Sequence, residues 1–259
     1  MDQTGYARIV VALWLLGMLL LMEFGWRVGM KHLARDPERG LAGLGATESA
    51  VFALFMLLIA FTFSGGAARF DARRQLITEE SNDIGTAWLR LDLLPEGAQP
   101  ALRSLFRDYV DSRLTVYQKL PDLVAAKAEL DRSGAMQGQI WTRAVPATRE
   151  PGAHPDAGKL LLPALNAMFD ITTTRTMAAR SHPPIIIYAL LILLGLGCAL
   201  LAGYRMAEGK QRNWVHSIGF IAIMGVSLFV ILDMEYPRLG FIRLDAYDQV
   251  LVELRNSMK

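Results

Sequence analysis

Histidine, cysteine and neighbouring carboxylates are the groups that would do chemistry in this chain, and their spacing argues against catalysis. The four histidines, His32, His154, His182 and His216, are scattered, and none has a second ligand at metal-binding spacing. The one cysteine, Cys198, lies inside an apolar run, which excludes a disulfide framework and points to a packed, inert thiol. Glu79 and Glu80 are adjacent, so on a helix they point about 100° apart and form no carboxylate dyad. Asp233 and Glu235 have the spacing to share a cation, yet they end an apolar run, where pairing with arginine is favoured. No phosphate-binding glycine loop, nucleophile elbow or zinc-hydrolase helix occurs. The expectation is a protein that is not an enzyme and uses no cofactor or metal.

Passage of charge is the other chemistry these residues support, and its candidates fall in residues 49–92. This stretch begins apolar, turns polar without a proline, and reads as one helix of roughly 44 residues and about 66 Å, twice the hydrocarbon thickness. The small residues SGGAA, at 64–68, stand where the helix would leave the apolar core, so they mark a packing or constriction point. Candidate lining residues are Phe63, Ser64, Gly65, Gly66, Arg69, Asp71, Arg73, Gln75, Thr78 and Asn82. A wholly polar stripe runs through Asp71, Gln75, Thr78, Asn82 and Thr86, and two readings stand: a solvated face or a conduit wall. Apolar residues recur every seven positions at Phe63, Phe70, Ile77, Ile84 and Leu91, a seam for packing. Near a membrane unpaired charge is costly, so Arg69, Arg73, Arg74 and Arg90 are expected to find partners among Asp233, Glu235 and Asp245.

These residues must be held by helices. Of the 259 residues 53% are hydrophobic and only 20% charged, and the net charge of +2 gives no case for nucleic acid. Long uncharged runs predict spans at 9–26, 49–68, 185–204 and 214–232. The N-terminal MDQTGYAR carries little positive charge and no cleavage site follows, so the first run reads as a retained anchor. Tyr6, Trp14 and Trp26 suit interfacial belts, and Thr47 suits an N-cap for the second span. Helices are expected at 101–117, opened by Pro100, at 122–142 and at 159–180, with 146–158 a loop. Asp245 is expected to cap a short helix over 246–256, whose apolar face, Tyr247, Val250, Leu251 and Leu254, docks on the helical domain. Gly195, Ala199 and Gly203 allow close helix contact in the third span.

The fold class is therefore an all-α membrane protein. It has four transmembrane helices in a 2+2 arrangement, an inserted helical domain and a C-terminal docking helix. The expected divisions are residues 1–68, 69–182, 183–233 and 234–259. Arg27, Lys31, Arg35, Arg39, Arg205, Lys210 and Arg212 in the short links nearly balance the arginines of the opposite side. The positive-inside rule therefore assigns the domain no side.

Two runs, FTFSGGAARFDARRQLITEESNDIGTAWLRLDLLP and LDMEYPRLGFIRLDAYDQVLVELRNSM, resemble the two signature blocks of a bacterial multi-pass membrane family with a bestrophin-like domain. The resemblance covers nearly the whole chain in organisation. It implies kinship with oligomeric four-span ion channels whose second span lines a pore and continues into a helical domain. The partners so implied are a lipid bilayer, further copies of the chain and inorganic ions, in a bacterial inner membrane. No neck or calcium-clasp position of that family is carried over. The other reading is a membrane-anchored scaffold or sensor whose helical domain binds a protein partner.

Overall fold

In the computed structural model residues 3–35, 44–209 and 214–259 are described, and every regular element among them is helical. Pro37, Arg39, Lys210 and Arg212, and the side chain of Tyr6, lie outside what is described. The helices in chain order are α1 (Gln3–Arg35), α2 (Leu44–Arg90), α3 (Gln99–Gln118), α4 (Leu123–Ala147), α5 (Ala157–Arg180), α6 (Ile185–Met206), α7 (Trp214–Glu235) and α8 (Gln249–Ser257). Short 3₁₀ turns occupy Leu91–Leu93, Ala207–Gly209 and Asp245–Asp248. Four helices, α1, α2, α6 and α7, are long and apolar enough to cross a membrane. The chain divides into two compact units, one of Met1–Ala68 with His182–Tyr236, the other of Arg69–Ser181 with Pro237–Lys259.

In the first unit α1 packs closely on α6 and on α7. Glycine makes the α1–α6 approach possible. A Cβ on Gly25 would strike the Leu200 carbonyl, and one on Gly29 would stand 2.6 Å from the Tyr204 carbonyl oxygen. From the other side, Gly203 meets the Met22 carbonyl and Gly195 meets the Trp14 indole. Lipid is as apolar as leucine, so such backbone proximity supplies van der Waals energy that burial alone would not. Trp14 also donates its Nε1–H to the Ile192 carbonyl at 3.0 Å. The core of this unit holds Trp14, Met18, Met22, Phe55, Cys198 and Met224.

The second unit has an ordinary soluble-type core. Ile77, Ile84 and Leu91 of the seven-residue seam are buried to 1% exposure or less, against Phe106 and Tyr109 of α3, Ile140 of α4 and Leu165 of α5. Each such side chain contributes about 1.5–3 kcal/mol of transfer energy. Upstream the seam lapses: Phe70 is half-buried and Phe63 exposed. Helix α8 docks through Leu251 and, in part, Leu254, with a bidentate pair from Arg255 to Asp111 at 2.8 Å.

Several boundaries differ from expectation. Helix α2 starts at Leu44, so Thr47 sits within it rather than capping it. Helix α4, capped by the Asp122 carboxylate accepting from the Val124 and Ala125 amides at 3.0 Å, runs to Ala147 and takes in Pro146. A proline in the last turn removes only one ladder bond, and buried Ala144 and Ala147 hold the backbone against the core. Helix α7 continues to Glu235, enclosing Asp233. At the tail Asp245 opens a 3₁₀ turn instead of capping α8, because its carboxylate is taken by Arg238 and Arg243. Tyr247 is 37% exposed, and Leu244 and Met258, at 3% each, are the further anchors of the tail.

Candidate conduit surface on the second helix

Over its apolar stretch helix α2 is buried along one narrow edge only and half-buried or exposed elsewhere. Of its apolar stretch 17% is buried, against 28%, 22% and 33% in the other three spans. The covered edge carries Phe55, Thr62 and Gly66. Phe52 meets Phe220 edge-on at 5.8 Å, and a Cβ on Gly66 would lie 3.6 Å from Glu235 Oε1. The opposite side is a single exposed stripe at steps of three and four. It passes through Leu54, Leu57, Phe61, Ser64 and Ala68, then Asp71, Gln75, Thr78, Asn82, Thr86 and Leu89. That step pattern is the i, i+3, i+4 geometry of one helix face. The stripe is apolar over its first turns and polar over its later ones.

The candidate residues separate by burial. Ser64, Asp71, Gln75, Thr78 and Asn82 lie on the exposed stripe, and Phe63 is exposed beside it. Gly65 and Arg69 are half-buried. Gly66 and Arg73 are buried. Arg73 donates from Nε to the Ala178 carbonyl at 3.0 Å and from Nη2 to the Ser181 carbonyl at 2.8 Å. A cation there bonds carbonyls at the C-terminal end of α5 and meets the negative end of its dipole. A groove of about 460 Å³ follows the stripe, lined by Arg74, Gln75, Thr78, Glu79, Asn82 and Tyr247. Arg74 pairs with Asp71 at 3.4 Å and lies over the Tyr247 ring, 5.4 Å from its centroid.

The residues expected to form ion pairs take several kinds of partner. Arg90 donates to the Leu160 carbonyl at 2.6 Å. Glu235, 2% exposed, has His182 Nδ1 at 3.3 Å, and the His182 ring lies 4.9 Å from that of Tyr236. Asp233 is buried at the end of α7. Asp245 is bound within the tail, to Arg238 at 3.2 Å and to Arg243.

A buried charge cluster in the second unit was not foreseen from the sequence. Glu80, fully buried, accepts from Arg113 Nε at 2.6 Å and from Arg175 Nη1. Arg113 Nη2 also donates to the Tyr117 hydroxyl at 2.8 Å. The Tyr117 ring has Arg175 and Arg238 over it, at 4.4 and 4.5 Å from its centroid. Arg238 in turn forks onto Asp248, with one arm at 2.9 Å, and Asp248 lies 4.0 Å from Arg175. Burial alone would raise the Glu80 carboxyl, but Arg113 and Arg175 outweigh it and hold it below its ordinary value. The same pairing with Tyr117 and Glu80 raises Arg113 against the opposing effect of burial. The cluster was legible in one respect. Glu80 falls three after Ile77 and four before Ile84, on the buried face, and Arg113 follows Phe106 and Tyr109 at the same kind of step.

Residues 38–246 match the family model of the bestrophin-like domain. This chain belongs to the bestrophin-like family. The fold agrees: a crystal structure of a bacterial bestrophin homologue from Klebsiella pneumoniae, carrying a point mutation, aligns with a TM-score of 0.57 at 14% identity, covering 93% of this chain and 98% of that one. A crystal structure described as a membrane protein aligns equally, with a TM-score of 0.57 at 14% identity, covering 94% and 99%. At that identity the likeness shows the fold. None of the curated proteins compared by sequence matches the chain. Its family, and four helices long and apolar enough to cross a bilayer, make it a membrane protein.

Proposed function

We propose that this bestrophin-like protein is an oligomeric conduit for inorganic ions in a bacterial inner membrane, with α2 of each copy lining the path. The observation that carries the reading is the single exposed stripe on α2, apolar from Leu54 to Phe61, small at Ser64 and Ala68, and polar from Asp71 to Thr86. A continuous face of carboxylate, amide and hydroxyl groups can replace part of an ion's hydration shell, which lipid cannot. Small residues at Ser64, Gly65 and Ala68 would let copies approach there and set the narrow point, with Phe63 beside it. Asp71, Gln75, Thr78 and Asn82 would line the wider path, and Arg69 would flank its mouth. Gly66 and Arg73, facing inward within the protomer, support the wall without reaching the path. Membership of the bestrophin-like family supports the same reading.

Reconstitution of the purified protein in planar bilayers tests it by single-channel recording. Discrete conductance steps are expected, and their absence across a range of salts, pH and calcium would remove the proposal. The scaffold reading draws on one observation, the exposure of Leu123 and Val124 (59% and 81%) where α4 begins. It gains if a silent protein co-purifies with a partner that Val124→Asp releases.

A further inference from the structure

The charge cluster around Tyr117 has a feature beyond stability: two of its members, Arg238 and Asp248, come from the C-terminal segment. We propose that the Arg238–Asp248 fork, seated on Tyr117 beside Arg175, is a latch that fastens a separately releasable C-terminal segment onto the helical domain. Three observations converge. First, α8 spans only Gln249–Ser257, far too short to persist in water without an external hold. Second, its other attachments are modest: Leu251 is its one buried side chain, Leu254 is covered in part, Met258 is buried just beyond its end, and the Arg255–Asp111 pair is partly exposed, a class of contact that contributes little. Third, the latch side chains are well covered. Arg238 is 14% exposed and Asp248 15%, and Arg238 makes two bonds to one carboxylate while its guanidinium covers the Tyr117 face at 4.5 Å. A fork of that geometry fixes orientation as well as energy.

The latched position has a consequence at the surface of α2. Residue Tyr247, next to Asp248, supplies one wall of the groove along the polar stripe, and Arg74 lies over its ring. Release of the segment would remove that wall and leave Arg74 with Asp71 alone. The latch thus controls whether the polar face of α2 is walled on one side by Tyr247 or bare at this level. It does so whether or not that face conducts ions.

Hydrogen exchange on the full-length protein in nanodiscs tests the latch. In Asp248→Asn, amides of both 237–248 and 249–257 should exchange about tenfold faster or more, while α3 and α5 keep their protection. In Leu251→Ser, which leaves the charges intact, 249–257 should loosen while 237–248 stays protected. Three results overturn the proposal. The tail of Asp248→Asn exchanges as in the unaltered protein; or Leu251→Ser frees both segments equally, making apolar contact the fastening; or Asp248→Asn unfolds the whole domain, which would mean the segment is no separate element. Conductance plays no part in this readout, so failure of the latch and failure of the conduit are distinguishable.

Discussion

Single side chains divide into those that hold the fold and those free to act. Glu80 belongs to the first group: removing its charge takes the paired carboxylate from buried Arg113 and leaves Arg175 only Asp248, at 4.0 Å. We expect Glu80→Gln to destabilise by about 3 kcal/mol, read as a lower thermal midpoint. The pH dependence follows from the sign of its shift. A carboxyl held below its unfolded value contributes stability above about pH 4.5, and the contribution is lost as pH falls through the lower, folded value. The midpoint of the unaltered protein should therefore decline below about pH 4.5 more steeply than that of Glu80→Gln. The difference between the two proteins is the quantity to take, because Glu129, held low by its Ser112 hydrogen bond, contributes with the same sign. Arg73 is also structural, clamping the end of α5. Arg73→Gln should lower the midpoint and leave ion preference alone. Asp71 is exposed on the polar stripe, and Asp71→Lys should shift the reversal potential in asymmetric salt if the stripe lines the path. An unchanged potential removes Asp71 from the wall.

At the scale of elements, backbone proximity holds the α1–α6 pair and apolar burial holds the helical domain. Gly203→Val would force a branched side chain into the Met22 carbonyl, whereas Gly219 has nothing within 4 Å. We expect Gly203→Val to destabilise by about 3 kcal/mol or more and Gly219→Val to be nearly neutral, by thermal unfolding in detergent. Element positions followed the apolar period closely, since that pattern is local: Ile77, Ile84 and Leu91 are buried at the seven-residue step. Ends followed less well. Pro146 lies inside α4 because buried alanines on either side outweigh one missing hydrogen bond, a balance set by the neighbouring helices. Asp245 has the chemistry of a cap, but Arg238 and Arg243 take its carboxylate.

For the whole molecule, the prediction concerns how copies meet. If α2 of each copy faces a common axis, Asn82→Cys should cross-link between copies with a short bismaleimide, with little background because Cys198 is buried. A compact monomer by native mass spectrometry, giving no cross-link, would count against the conduit. By itself the sequence determined the helical class, the four apolar spans, the polar extension of the second and the family resemblance. All of these are properties of contiguous residues, readable from hydropathy and period. The tertiary structure alone decided which face of α2 is covered, and so that Arg73 is a clamp while Asp71 stays exposed. It also decided that Glu80, beside an exposed Glu79, sits at the centre of a cluster drawn from four separate segments. The energy of a buried charge depends on partners 33, 95 and more residues away, and no local pattern records who those partners are.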